Sequence, residues 1–257
     1  MINNELRIGN FTSSCISDLL TVAKNKIDFG APAIKYIAEK NMERIIGRAL
    51  KTETDSRPTS WGKLLEPRVF DLLGLDYQYM ATETIIHPTI DCWAGSPDGV
   101  RYGIESKPVS VMDIKCPMTI KSFCSLVLPL YFGKTGMDAI NDVRNGFEHE
   151  GIKYPAHAEG DTYYWQLVSN AILTGLDHAE LIIYMPYQSE LLDIKKLADG
   201  NPSVHWMNFI EDNAIPYLPN GGALNNLYIH QFEVPLDDKR MLTDAVKKAS
   251  GMLINRL

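Results

Sequence analysis

Between residues 31 and 50 apolar side chains recur at steps of three and four (Ile34, Ile37, Ala38, Met42, Ile45, Ile46 and Ala49) against a mostly polar remainder, the pattern of an amphipathic helix. Ahead of it, Thr12-Ser13-Ser14 precedes Ile16, Leu19, Leu20, Ala23 and Ile27, which predicts a capped helix start. After the turn-like stretch KTETDSRPT, Ser60 is placed to cap a helix carrying Trp61, Leu64, Leu65, Val69, Leu72 and Leu73 and ended by Gly74. Pro67 falls inside that helix. A proline lacks the backbone donor and crowds the preceding turn, so a kink, or two short helices joined at Glu66-Pro67, is expected. The pattern then turns β-like, with strands predicted over 84–87, 91–94, 100–102 and 109–116 and turns over 95–99 and 106–108. Asp161 opens a helix through Leu173 that stops at Gly175; 181–185 and 227–234 read as strands, and 237–257 as a closing amphipathic helix. This order predicts an α/β fold with a central mixed β-sheet flanked by helices. Residues 132–160, rich in glycine and in charge of both signs, and residues 199–226, rich in Asn, Pro and Gly, are expected as long insertions in a single domain spanning 1–257.

A chain of 257 residues can bury a sizeable core, and 45% hydrophobic with 22% charged residues is ordinary for a globular protein. No apolar run approaches the roughly 18 residues of a membrane span, and MINNELRIGN lacks a signal-peptide core. A cytoplasmic protein with no membrane partner is expected. Cys15, Cys92, Cys116 and Cys124 show no ligand-like spacing and read as buried free thiols, and the six histidines form no HxH or HxxxH pair, so a zinc site has no support. Nucleotide-cofactor and serine-hydrolase motifs (GxGxxG, GxxxxGK, GxSxG) are missing from the sequence. The net charge of −7 argues against a generic polyanion binder, although a site that gathers carboxylates for a metal would look acidic in total beside a local basic track.

The chemistry concentrates in AGSPDGVRYGIESKPVSVMDIKCP, residues 94–117. On a strand Val109, Val111, Asp113 and Lys115 share one face and Met112, Ile114 and Cys116 the other, so a carboxylate and an ammonium are presented side by side. A hairpin at Ser96-Pro97-Asp98-Gly99 would return Asp98 to the Asp113 face at a sheet edge. Two aspartates and the Ile114 carbonyl suit a magnesium ion that keeps several waters, one of them the nucleophile, and Lys115 can hold the scissile phosphate and stabilise developing charge. Glu66 can add a direct or water-mediated metal contact. Arg7 and Ser14 bracket a helix start, and Ser96 adjoins Asp98, so all three can meet an anion. Tyr163, Gln166 and Asn170 form a polar stripe on the 161–173 helix, from which Gln166 can donate to a phosphate or hold a water. Taken singly, each also has an ordinary reading: a turn residue, an exposed ion pair, a capping hydroxyl or a solvated helix face.

In chain order, Arg7-Ile8-Gly9 with Phe11-Thr12-Ser13-Ser14, Gly62 with Glu66-Pro67, Gly95-Ser96-Pro97-Asp98-Gly99, Asp113-Ile114-Lys115-Cys116-Pro117 and Tyr163-Tyr164-Trp165-Gln166 resemble the lambda exonuclease/YqaJ-like viral recombinase family of the PD-(D/E)XK nuclease superfamily, over residues 7–175. The resemblance implies a restriction-endonuclease-like core and a Mg²⁺-dependent deoxyribonuclease, Mn²⁺ substituting, that works 5′ to 3′ from duplex DNA ends and prepares single strands for recombination. It implies Asp98 and Asp113 as metal ligands, Lys115 as catalytic lysine, Glu66 and Gln166 as further site residues, and Arg7, Ser14 and Ser96 as a grip on the 5′-phosphate. It also implies a ring-shaped homo-oligomer of three subunits, a trimer, and a single-strand annealing protein as partner in a bacterial or phage-infected cytoplasm. Two departures stand out: Asp113 occupies a position where the family often carries Glu, and Asp91 is out of register with an extra upstream acidic residue of lambda exonuclease, which leaves one or two metals open. The alternatives are a PD-(D/E)XK endonuclease and a catalytically degenerate DNA-end-binding module.

Overall fold

A computed structural model describes residues 4–25, 27–50, 56–80 and 83–255. A 3₁₀ turn at Asn4–Arg7 leads into strand β1 (Phe11–Thr12), a 3₁₀ helix over Ser13–Leu20, and helices α1 (Ala31–Ile46) and α2 (Arg57–Leu72). Strands β2 (Tyr77–Tyr79), β3 (Ile85–Ile86), β4 (Trp93–Gly95), β5 (Gly99–Tyr102) and β6 (Pro108–Lys115) follow, then helices α3 (Ile120–Tyr131) and α4 (Gly136–Asn145). The hairpin β7 (Phe147–His149) and β8 (Ile152–Tyr154), helix α5 (Gly160–Thr174), strand β9 (His178–Tyr184), helix α6 (Leu191–Ala198), strand β10 (Leu227–Glu233) and helix α7 (Leu236–Ser250) complete the described chain.

The main sheet has the order β10-β9-β6-β5-β2, with β9 and β6 parallel and the other pairs antiparallel, which is the mixed sheet expected. Strand β6 lies in the middle and is buried on both faces, as parallel-paired strands usually are. Val111 packs with Leu181 and Ile183 in a core shared with α3, α5 and α7, while Met112 and Ile114 pack with Ile182 and Tyr184 beneath α2 and α6. A second sheet, β1-β4-β3, holds the N-terminal segment. It is tied to α5 by Ser13 Oγ and Trp93 Nε1, each 2.8 Å from Ser169 Oγ. A Cβ at Gly95 would collide with Ser13 Oγ and Asn170 Oδ1, so only glycine allows α5 and the 3₁₀ helix to approach β4 so closely.

Several expectations are corrected. Asp98 does reach Asp113, but not by a hairpin at 95–99: β4 belongs to the small sheet, and the chain crosses there between sheets. The hairpin is β5–β6, and its register, Gly99 opposite Met112, carries Asp98 to Asp113 on a central strand rather than at a sheet edge. Helix α2 is capped by Ser56, whose Oγ accepts from Thr59 N at 3.3 Å, and it runs through Pro67. Pro67 and Lys63, whose carbonyl loses its donor, both lie on the exposed face, where water can replace the missing bond. Ser60 is buried instead and accepts from Trp206 Nε1 at 3.1 Å. The first helix is a 3₁₀ helix that stops at Leu20, because Asn25 Oδ1 accepts from Ile27 N and Asp28 N and turns the chain back.

Residues 132–160 are a folded helix and hairpin, not an open loop. Ala139, Ile140 and Val143 of α4 enter the core, and glycines that suggested a loop mark element ends, with Gly146 at φ +76° and Gly151 at φ +79°. Residues 199–226 carry 3₁₀ turns at Pro202–Phe209 and Asp212–Ala214, with Val204, Met207 and Ile215 buried beneath α6. The turn-like segment 51–59 lies outside the described residues in its first five positions, as do the last two residues of the predicted closing helix, which ends at Ser250. All four cysteines are free thiols, Cys15 being exposed rather than buried. Among the described residues no helix is long and apolar enough to cross a membrane.

Candidate active site

Strand β5 stops at Gly99, opposite Met112, so Asp113–Lys115 continue past it and are paired only with β9, through Leu181–Ile183. The Ile114 amide freed there donates to Asp98 Oδ2 at 2.6 Å, fixing the Asp98 carboxylate in the gap. Beside it Asp113, 1% exposed, receives Gln166 Nε2 on Oδ1 at 2.6 Å and ion-pairs through Oδ2 with Lys115 Nζ at 2.8 Å. Lys115 Nζ also faces Gln166 Oε1 at 3.4 Å, so one amide on α5 touches both members of the pair. Alternation along β6 sets Asp113 beside Lys115, as the strand pattern predicted, and a single position on α5 adds Gln166.

The electrostatics are strained. Burial, with the charges of Asp113 and Glu66 beside it, pushes the Asp98 carboxyl well above the carboxylate range. Burial and Asp113 also raise Glu66, which α2 delivers to the same end of the sheet. Burial alone would lower the Lys115 ammonium, but Asp113, Asp98 and Glu66 together outweigh it and hold Lys115 above its usual value. Cys116 is raised by burial and then by Glu66 and Asp98. Three carboxyls therefore crowd Lys115, with Lys63 near Glu66 alone. Each aspartate has one oxygen tied by a hydrogen bond, and Asp113 Oδ2 is buried with no hydrogen bond, only its ion pair. Among the described residues no three of His, Cys, Asp and Glu converge closely enough to hold a metal alone. The donor set nevertheless fits magnesium, which takes one or two carboxylates, a carbonyl and water, and whose charge would relieve this repulsion.

Of the anion-binding candidates, Ser14 adjoins the Arg7 cavity through Thr12, and Ser96 rests against Thr84. Arg7 is half-buried and lines a cavity of about 960 Å³ with Thr12, Lys35, Tyr36, Lys40 and Arg48. Neither Ser14 nor Ser96 is part of its wall. Ser14 is exposed, with Oγ 3.5 Å from Thr12 Oγ1, and Ser96 Oγ lies 3.1 Å from Thr84 Oγ1. Asn170 of the polar stripe is fully buried, and neither side-chain amide atom has a hydrogen-bond partner.

No protein-family model matches the sequence, and no curated protein matches it. Among solved structures, the phage-related exonuclease from Haemophilus somnus 129PT is similar over 95% of this chain and 92% of its own, with 15% identity and a TM-score of 0.57. The alkaline exonuclease LHK-Exo from Laribacter hongkongensis is similar over 95% and 90%, with 17% identity and a TM-score of 0.51. Its complex with dAMP gives 96%, 88%, 17% and 0.52. The chain has the fold of these exonucleases. The mixed α/β fold expected from the sequence is thus shared with these exonucleases along nearly the whole chain. Sequence reasoning placed Tyr163 on the Gln166 stripe but missed its contact with the lysine: its ring faces Lys115 Nζ at 4.6 Å from the centroid. The signal was available, since Tyr163 precedes Gln166 by three positions, one turn along the same helix face.

Proposed function

We propose that the protein is a magnesium-dependent exodeoxyribonuclease that degrades duplex DNA from its ends, 5′ to 3′, and leaves single strands for recombination. The observation that carries this reading is the Lys115 ammonium paired to Asp113 and facing Gln166 at the end of β6, with Asp98 clamped beside it. The similarity to exonuclease folds along almost the full chain supports it. Asp98, Asp113 and the Ile114 carbonyl would hold magnesium, with Glu66 reaching it through water, and manganese would substitute. The ion supplies a polarised phosphate and an activated water when bound. Lys115 holds a non-bridging oxygen of the scissile phosphate and stabilises the negative charge that grows on it in the transition state. Gln166 keeps the lysine and Asp113 in fixed relation, so neither has to reorganise as charge develops.

In this reading Arg7 grips the terminal 5′-phosphate from its cavity, where Asp18, Glu39 and Glu43 stand beside Lys35, Lys40 and Arg48, helped by the Ser14 and Ser96 hydroxyls. A ring of three subunits would enclose DNA that a chain of net charge −7 holds weakly, and an annealing protein would receive the single strand in the cytoplasm of a bacterial or phage-infected cell. The test is digestion of linear and closed circular duplex with magnesium, manganese or EDTA, using 5′-phosphoryl and 5′-hydroxyl ends. Cutting of linear DNA alone, faster from phosphorylated ends and lost in EDTA, is expected. Cleavage of circles would replace this reading with an endonuclease, and end binding without cleavage would replace it with a degenerate binding module. Light scattering at working concentration should report the oligomer.

A further inference from the structure

Of the side chains around Lys115, Tyr163 makes a contact that the proposed chemistry does not use. Its ring presents its face to the Lys115 ammonium, 4.6 Å from Nζ to the centroid. The ring is itself held. Its hydroxyl donates to Glu159 Oε2, and the His157 ring packs on it with centroids 5.4 Å apart. His157 is buried at 8% exposure, meets Ser122 Oγ at 2.8 Å through Nε2, and accepts from Glu159 N at 3.1 Å through Nδ1. A chain of contacts from α3 through the segment before α5 therefore fixes one aromatic face over one ammonium.

We propose that Tyr163 is a positioning residue that aims Lys115, an inference that rests on the nuclease reading above. An ammonium has three donors. One meets Asp113 Oδ2 at 2.8 Å and a second points toward Gln166 Oε1 at 3.4 Å. The ring covers a side from which water would otherwise solvate the group, and its negative face attracts the charge without taking a hydrogen bond from it. The third donor is then left for the phosphate. The lysine side chain keeps 22% exposure, enough for that approach. A ring that only filled space would leave turnover insensitive to the electron density of its face, whereas an aiming ring would not.

The experiment varies that face at constant shape. Phenylalanine at position 163, then phenylalanines carrying increasing numbers of ring fluorines, are compared with the wild type. Tyr163→Phe should keep at least half of kcat, because the face survives the loss of the hydroxyl. The fluorinated series should lower kcat stepwise to about a tenth, with KM for duplex ends within twofold. Tyr163→Leu should behave as the end of the series. In the absence of DNA, Lys115 should react several-fold faster with an amine-modifying reagent in the fluorinated and Leu variants, read by peptide mass spectrometry. A flat series in both kcat and labelling overturns the inference, as does a Tyr163→Phe loss equal to that of Tyr163→Leu. A wild type that cuts no DNA under any metal removes the nuclease reading instead, and the labelling series then decides the aiming contact on its own.

Discussion

Two carboxylates on neighbouring central strands, Glu180 on β9 and Asp113 on β6, are each 1% exposed, yet their surroundings differ in kind. Glu180 faces one side of the sheet, where Arg101 Nε donates to Oε1 at 2.6 Å and the Tyr77 hydroxyl to Oε2 at 2.9 Å. Both its oxygens are satisfied and its charge is balanced by one guanidinium. Asp113 faces the other side and also meets one cation, but Asp98 and Glu66 crowd the same lysine. A buried ion pair that closes on itself maintains structure, while one with surplus negative charge is held ready for something positive to arrive.

Removing the cation from each cluster should separate them most sharply. Lys115→Ala should cut kcat on duplex ends about a thousandfold with little change in end binding, and a loss of less than tenfold would remove the lysine from the chemistry. Arg101→Ala should instead cost about 3 kcal/mol of stability, because Glu180 is left buried and unpaired, while the folded fraction keeps its turnover; urea melts with activity corrected for folded protein check both halves.

Neutralising an acid sharpens the comparison further. The raised Asp98 carboxyl is a destabilising group once ionised, since a folded-state value above the unfolded one gives stability that is complete at low pH and lost as pH rises through the folded value. Asp98→Asn should therefore melt about 2–4 °C higher than the metal-free wild type at pH 8 and equally at acidic pH, although it is nearly inactive. Magnesium should raise the melting temperature of the wild type and leave that of Asp98→Asn almost unmoved. The smallest effect is expected at Tyr77→Phe, which removes one of two donors to Glu180 and should cost about 1 kcal/mol with no change in rate.

Much of the site was legible because it depends on short-range rules. Alternation on β6 is enough to put Asp113 and Lys115 on one face, whereas Gln166 was assigned to their site only through the motif resemblance, its bond to Asp113 joining positions 53 apart. What could not be read were contacts set by long-range packing. The strand Tyr77–Tyr79 has too few residues to show a period, although it pairs with β5 and supplies the phenol for Glu180. Helix α4 buries only Ala139, Ile140 and Val143, a stripe too narrow to outweigh the glycines around it. Pro67 misled for a local reason, since its cost depends on whether water reaches the Lys63 carbonyl. Motif order does not show which of Arg7, Ser14 and Ser96 adjoin: Thr12, the partner of Ser14, lines the Arg7 cavity, while Ser96 Oγ meets Thr84 Oγ1.

The β5–β6 pairing also has a kinetic consequence. Gly99 and Met112 meet across a hairpin local in sequence, whereas Asp113 meets Leu181 only after about seventy residues have been brought home. Short loops close first. Asp98 and Asp113 are thus drawn together while the chain around them is still largely unfolded, before α5 can deliver Gln166. Refolding should accelerate with added salt or mild acid, because each weakens the repulsion between Asp98 and Asp113 that the β5–β6 hairpin has to overcome.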